Sequence, residues 1–184
     1  MKKRRALVVG RFQPLHYGHL HVFRYTLARA DELVIAIGSS QYCCVPRNPL
    51  SVDERMEMIV RALRREGFPL GNIMISSVPD TESPDEDWGQ MVLDRVPRVD
   101  IAFSNDPETI RDLRNAGLIV ENVPFLKRDL YAATKIRELI LEGNPLWKDL
   151  VPPSVLEFLL EIDIEDRIRE IYREEKRGVA ATDG

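Results

Sequence analysis

The sequence has few of the features that mark secreted, membrane or zinc-binding proteins. Its two cysteines, Cys43 and Cys44, are adjacent, so they build neither a disulfide framework nor the spacing of a zinc site. No apolar run approaches the roughly 18 residues that a membrane helix needs, and the run at 6–9 is too short for a signal peptide. We therefore expect a soluble, cytoplasmic protein without a membrane partner.

The sequence also lacks an excess of positive charge. It carries 26 Lys and Arg residues against 30 Asp and Glu residues, a formal net charge of −4. No overall charge therefore attracts nucleic acid or anionic lipid, and a ligand that carries phosphate must be held by a local cluster. The 184 residues, of which 44% are hydrophobic, are enough for one domain with a sizeable core.

Short apolar runs rich in β-branched residues have the length of strands. They are almost continuously apolar, as expected of strands buried on both faces of a parallel sheet. The runs are 6–9, 33–37, 73–75, 101–103 and 118–120. Helical patterns lie between them, which predicts right-handed βαβ units and an α/β fold with a doubly wound parallel sheet.

Helix-start signals support the α/β interpretation. A capping box at 51–54 opens a helix that ends near Gly67, and Asp106 with Pro107 opens another helix. Apolar residues share one face of the first of these helices: Met56, Ile59, Val60 and Leu63.

The pattern changes after residue 126, where only helical periodicity remains. One helix is predicted over about 134–142 and a longer one over 154–175, with a break near Asp163. We expect a single domain over 1–184. Its parts would be an α/β core (1–126), C-terminal helices (127–175) and a frayed tail (176–184).

The histidines lie together, at positions 16, 19 and 21, directly after the first predicted strand. Ligands of open α/β sheets bind at the carboxyl ends of strands, so chemistry is expected in this loop. Gly10 allows a sharp turn, and Gly18 leaves room for a phosphate at a helix N-terminus. His16 and His19 are one helical turn apart, so both imidazoles would face the same phosphoryl group. An isolated His-x-x-His pair would also fit a metal, and His21 is assigned to surface or packing.

The segment 10–19, GRFQPLHYGH, resembles the G-x-F-x-P-x-H-x-G-H signature of the nucleotidyltransferase superfamily at every fixed position. Members carry a second signature, I-S-x-T-x-x-R, at the start of a helix near the C-terminus. The segment 131–137, YAATKIR, matches it at Thr134 and Arg137. Ala132 stands at the serine position, which removes one hydroxyl but leaves the backbone N–H available to a phosphate.

Further segments are similar to the archaeal-type nicotinamide-nucleotide adenylyltransferases. They are 37–41, 47–50, 53–55, Trp88 and 104–105. The resemblance implies a Rossmann-like fold of the HUP type with C-terminal helices. It implies transfer of AMP from ATP to nicotinamide mononucleotide (NMN), with Mg²⁺ required and NAD and pyrophosphate as products. It also implies a homo-oligomer, commonly a hexamer.

The resemblance further implies roles for individual residues, with no metal ligands from the protein itself. The expected catalytic residues are His16, His19 and Arg137. The expected contacts to ATP and its phosphates are Gly10, Arg11, Phe12, Gly18 and Thr134. The expected contacts to NMN are Arg47, Trp88 in the acidic loop 79–88, and Asn105.

Other functions remain open at this point. The acceptor could instead be phosphopantetheine, flavin mononucleotide or glycerol phosphate, or the chain could sense a nucleotide without turning it over. Retention of both His16 and His19 argues against a sensor. A redox Rossmann enzyme is disfavoured because the first loop is not G-x-G-x-x-G, and no helix-turn-helix pattern indicates DNA binding.

Overall fold

A computed structural model of the chain describes residues 3–83, 85–124, 126 and 130–182, with side chains as far as residue 177. The strands are β1 (Arg5–Gly10), β2 (Glu32–Ile37), β3 (Ile73–Ser77), β4 (Ile101–Phe103) and β5 (Val120–Glu121). They pair in parallel in the order β3-β2-β1-β4-β5. The predicted doubly wound sheet is confirmed, and its strand order reverses between β1 and β4.

Helices connect the strands and follow the sheet. They are α1 (Tyr17–Leu27), α2 (Val52–Arg65), α3 (Trp88–Arg95), α4 (Pro107–Asn115), α5 (Ala133–Leu141), α6 (Pro153–Glu161) and α7 (Ile164–Thr182). The capping box of α2 and the Asp106 cap of α4 form as predicted. In the part of the chain that the structure describes, no helix is both long and apolar enough to cross a bilayer.

The sheet is buried on both faces, which explains the unbroken apolarity of its strands. In β2, Leu33, Ile35 and Ile37 belong to the larger core, whereas Val34 and Ala36 belong to the smaller one. This alternation follows the two-residue period of a strand. The larger core also includes residues of α1, α2 and the C-terminal helices, and the smaller core includes residues of α3 and α4.

Salt bridges join the C-terminal helices to α2. Arg61 of α2 lies 2.7 Å from a carboxylate oxygen of Glu161 in α6. Arg167 of α7 lies 2.7 Å from a carboxylate oxygen of Glu54. Because α2 and the C-terminal helices also share the larger core, these helices are held beside the strand ends mainly by apolar packing, to which the ion pairs add little.

Some predicted boundaries were wrong. The last strand begins at Val120 rather than at 118, because Gly117 (φ +85°) ends α4 and Leu118 still bonds back to Leu113. In the structure α7 runs to Thr182, and residues 183 and 184 lie outside the described residues, so fraying from residue 176 stays a prediction. The predicted break near Asp163 is confirmed, with φ +50° at that residue.

Candidate active site

A cavity of about 890 Å³ opens at the carboxyl ends of the strands, where ligands of open α/β sheets bind. Gly10 after β1, Gly38 after β2 and Asp80 beyond β3 all line it. Arg47, from the loop after β2, also lines the cavity, and residues at the start of α4 form another part of its wall. The strand ends therefore converge on one space beside the His-containing loop.

The two motif histidines stack on each other at the start of α1. Their ring centroids are 3.7 Å apart with an interplanar angle of 26°. Nδ1 of His19 accepts a hydrogen bond from the backbone N–H of His16 at 3.2 Å. A neutral imidazole that accepts at Nδ1 carries its proton on Nε2. His19 therefore has one N–H that is free to donate to a ligand.

Both histidines are held in the neutral form. Burial lowers the pKa of His16 to about 4. The pKa of His19 lies well below its usual value, first because of burial and second because of the nearby His16. An unfolded chain protonates histidine near pH 6.5, so the free energy of unfolding falls as the pH drops from about 6.5 towards 4. At neutral pH both rings are therefore uncharged.

Two glycines allow the close packing of this loop. A Cβ atom on Gly10 would lie 2.8 Å from the ring of Phe12, and one on Gly18 would lie 3.0 Å from the ring of His16. Phe12 is 1% exposed and its ring lies 4.8 Å from that of His19. Gly10, Phe12 and Gly18 thus shape the loop around the histidines, and the Phe12 ring packs beside that of His19. The expected contact of Phe12 to ATP stays a prediction.

The fold brings the second motif against the first. Arg137 is 6% exposed, and its Nη1 donates to the backbone carbonyl of Gln13 at 2.9 Å. Its Nη2 donates to the hydroxyl of Thr134 at 3.3 Å. Its Nε is buried without a partner among the described residues.

Three arginines from separate elements come close together. Burial lowers the pKa of Arg11, and the positive charge of Arg47 lowers it further. Burial also lowers the pKa of Arg137, with Arg11 and Arg47 among the contributing charges. Within the described part of the chain, no carboxylate forms an ion pair with any of the three. Three neighbouring guanidinium groups give the acidic chain a local patch of positive charge, and guanidinium groups are well suited to phosphate.

The structure separates the expected NMN contacts. Trp88 is the first residue of α3 rather than part of the acidic loop; it packs against the smaller core and also lines the cavity. Arg47 lines the cavity too. Asn105 does not, because its side-chain amide bonds to the backbone of Val123, donating at 2.7 Å and accepting at 3.0 Å. A direct nucleotide contact by Asn105 would have to replace one of these bonds.

The comparison with known proteins agrees with this geometry. The cytidylyltransferase-like family model matches residues 7–139. A nicotinamide-nucleotide adenylyltransferase of Saccharolobus solfataricus is 40% identical over 172 residues, which cover 94% of this chain and 99% of that protein. Nicotinamide-nucleotide adenylyltransferase 1 of Sulfolobus acidocaldarius is 38% identical over 169 residues, or 92% of this chain and 96% of that protein. The chain belongs to the archaeal nicotinamide-nucleotide adenylyltransferase family.

Solved structures support the fold of this adenylyltransferase family member. A bifunctional NMN adenylyltransferase/ADP ribose pyrophosphatase of Francisella tularensis, complexed with AMP and a manganese ion, superposes with a TM-score of 0.74. The match has 20% sequence identity and covers 97% of this chain, which spans about half the length of that protein (54%). A putative nicotinate-nucleotide adenylyltransferase of Vibrio parahaemolyticus superposes with a TM-score of 0.61 at 18% identity, over 86% of this chain and 99% of that one.

Sequence reasoning missed the part that Arg55 plays in the site of this family member. Arg55 is fully buried in α2, and it donates to the backbone carbonyls of Arg11, Gly38 and Ser39 at 3.0, 2.7 and 3.2 Å. Burial lowers its pKa to about 10, so it stays charged at neutral pH. A buried cation thus ties the loop after β1 to the loop after β2. The sequence signal was an arginine next to the apolar face of a helix.

The described residues contain no cluster of three or more His, Cys, Asp or Glu side chains that could hold a metal ion. Mg²⁺ is commonly held by substrate phosphates, water and one or two carboxylates rather than by a protein cage. The donor set of the cavity, with Asp80 and Asp106 beside Arg11, fits a metal that arrives with a nucleotide.

Proposed function

We propose that this chain transfers the AMP part of ATP to NMN, forming NAD and releasing pyrophosphate. The observation that carries the proposal is the convergence of Arg137, Arg11 and Arg47, with Arg137 bonded to the loop that leads to the two neutral histidines. Arg11 and Arg47 line a cavity large enough for a nucleotide, whereas the histidines and Arg137 are not among its lining residues. The 40% identical relative carries the same activity in its name.

The reaction needs positioning more than acid–base chemistry. The 5′-phosphate of NMN is anionic at neutral pH, so one of its oxygens can attack the α-phosphorus of ATP without a general base. The bond from the α-phosphorus to the β-phosphate oxygen breaks, and pyrophosphate leaves in line. Charge that develops on the phosphoryl oxygens must be met by fixed donors.

On the ATP side, the donors come from the two motifs. The Nε2–H of His19 donates to an α-phosphate oxygen, with His16 beside it. Arg137 and Thr134 hold the departing pyrophosphate: Thr134 lies at the start of α5, and Arg137, one turn later, is bonded to its hydroxyl. Arginine suits this role since its planar fork matches phosphate oxygens.

On the acceptor side, Arg47 holds the phosphate of NMN, whereas Arg11 is kept for the ATP phosphates. The rest of the cavity wall carries carboxylates from Glu108, Asp112 and Glu175. A wall of negative charge favours a pyridinium cation over a neutral or anionic base, which favours nicotinamide as the base. Trp88 offers an indole face to the same ring.

Mg²⁺ is the metal that we propose for this reaction. When bound to the ATP phosphates it would neutralise part of their charge. Asp80 and Asp106 are the carboxylates beside Arg11 that would adjoin it.

We further propose that the protein works in the cytoplasm as a homo-oligomer, as a hexamer by its resemblance to the family. Exposed Cys43 and Cys44 suit a reducing compartment. Large apolar side chains on the surface suit a subunit interface: Ile119 is 65% and Leu146 is 59% exposed.

The proposed function is tested by assaying pyrophosphate release from ATP and Mg²⁺ with each acceptor in turn. We expect NMN to give pyrophosphate and NAD in equal amounts. Phosphopantetheine, flavin mononucleotide and glycerol phosphate should leave ATP unchanged. Turnover with one of these and not with NMN would replace the acceptor. Tight binding of ATP and NMN with no pyrophosphate at all would instead support a nucleotide sensor.

Replacing Trp88 with Ala should raise KM for NMN by roughly 2- to 30-fold and leave KM for ATP nearly unchanged. The reason is the loss of a cation–π contact worth about 0.5–2 kcal/mol. Trp88→Phe should lie between the two proteins. Met74→Ala is the matched control, since Met74 packs against the same core but does not line the cavity. If Trp88→Ala and Met74→Ala both lower only thermal stability, Trp88 is a packing residue.

A further inference from the structure

The side chain of Gln13 joins two loops of the site. It is 1% exposed, belongs to the His-containing loop and reaches the loop that precedes α2. Its Nε2 donates to the carbonyl of Leu50 at 2.8 Å, and its Oε1 accepts from the N–H of the same residue at 3.0 Å. The amide thus pairs with both backbone groups of one residue, as a neighbouring strand would.

The loop on the far side of this pair carries Arg47. Val45 and Asn48 close a turn with reciprocal backbone hydrogen bonds of 3.3 and 2.9 Å, and Arg47 lies within that turn. Asn48 and Leu50 are buried, whereas Arg47 is exposed to the cavity. Because the turn is closed on itself and Leu50 is bound by Gln13, the position of Leu50 sets the position of Arg47.

The opposite side of Gln13 faces the ATP half of the site. Its backbone carbonyl accepts the hydrogen bond from Nη1 of Arg137 at 2.9 Å. His16 follows three residues later in the same loop. One residue therefore contacts both Arg137 and the loop that bears Arg47.

We propose that Gln13 is a positioning residue that sets the distance between Arg47 and the Arg137–histidine side, and so aligns the acceptor phosphate with the α-phosphorus of ATP. This inference rests on the proposed function, because it assumes that Arg47 binds the acceptor phosphate. Glutamine suits the task since its amide has one donor and one acceptor group for a single peptide unit. Glutamate would only accept, and methionine would do neither.

The test is a double-mutant cycle of Gln13→Met and Arg47→Ala, with kcat/KM for NMN as the readout. Alone, Arg47→Ala should lower kcat/KM by about 10- to 100-fold, the range for loss of a hydrogen bond to a charged group. In the Gln13→Met background, the loss of kcat/KM caused by Arg47→Ala should be smaller by a factor of at least about five, because Arg47 is no longer held in place. KM for ATP should change far less than KM for NMN in the Gln13→Met protein.

Thr26→Val is the matched control. Thr26 is also fully buried and donates to a backbone carbonyl, that of Val22 at 2.8 Å, but it lies on α1 outside the cavity. Its own effect on kcat/KM should be small, and Arg47→Ala should retain its full cost in that background.

The possible outcomes separate the two claims. If the double variant loses kcat/KM by the product of the two single losses, Gln13 does not position Arg47, although Arg47 still binds the acceptor. If Arg47→Ala has no effect in the parent protein, the proposed role of Arg47 fails instead. Should Gln13→Met not fold, the cycle is run with Gln13→Glu, which keeps the shape and the acceptor, and the same criteria apply.

Discussion

His19→Ala should lower kcat by about 10²–10³ while the protein stays folded, because one preorganised donor to the transition state is lost. The Nδ1 atom of His19 is occupied by the backbone N–H of His16, so its proton sits on Nε2. The ring is neutral, half-buried and stacked on His16, so it is held in place before substrate arrives. Donors of this kind stabilise developing charge without reorganisation during the reaction.

His21→Ala provides the control for this prediction. His21 lies one turn into the same helix, and its Nε2 contacts the backbone carbonyl of Pro124 at 2.9 Å rather than the cavity. Its removal should leave kcat unchanged. KM for ATP should change less than kcat in His19→Ala, since the interaction strengthens in the transition state. An unchanged kcat/KM in His19→Ala would mean that the stacked histidines only pack the loop and do not stabilise the transition state.

The fold could be predicted because its signals are local. Each strand of the sheet is an apolar run, and each capped helix has its capping residues next to it in sequence, as at Ser51 and Asp106. The edge strand β5 was displaced by two residues, because it has one neighbour only and its pairing is set by Ala102 and Phe103 of β4 rather than by its own pattern. Tertiary context decides such boundaries.

The His-containing loop could be predicted for the same reason, since Gly10, His16, Gly18 and His19 are close in sequence. The supporting contacts could not. Gln13 binds Leu50 across 37 residues, and Arg55 binds the Arg11 carbonyl across 44. The hydrogen bond from the Asn105 amide to the carbonyl of Val123 likewise depends on where β4 and β5 end. No periodicity within the sequence reports contacts of this kind.

The buried face of α2 explains why the sequence did not reveal the role of Arg55. The predicted apolar face held Met56, Ile59, Val60 and Leu63. The buried residues of the helix are in fact Arg55, Met58, Ile59, Ala62 and Leu63. The buried face of α2 is rotated by about one residue relative to the predicted face. This rotation places Arg55 in the interior, beneath the site. A buried guanidinium without a carboxylate partner is rare enough that composition alone predicts the opposite.

Replacing this buried arginine is the second change with a large expected effect. Arg55→Met should lower the free energy of unfolding by about 2–4 kcal/mol, because each buried carbonyl left without a donor costs about 1–3 kcal/mol and some relaxation is expected. The carbonyls of Arg11 and Gly38 are its shortest contacts outside its own helix, at 3.0 and 2.7 Å. Release of the Arg11 loop should also lower kcat by about 10²-fold, the cost of a displacement near 1 Å at a reacting centre.

Two further variants decide whether the effect comes from geometry. Arg55→Lys keeps a positive charge, but a compact ammonium cannot span the carbonyls of both loops, so we expect partial recovery of stability and little recovery of kcat. Arg61→Met is the matched control on the same helix: Arg61 pairs with exposed Glu57 and Glu161, and exposed ion pairs contribute little. Chemical denaturation gives the stability of each variant and pyrophosphate release gives kcat. If Arg55→Met behaves like Arg61→Met in both measurements, the buried arginine does not hold the site together, and the Arg11 loop is fixed by its backbone alone.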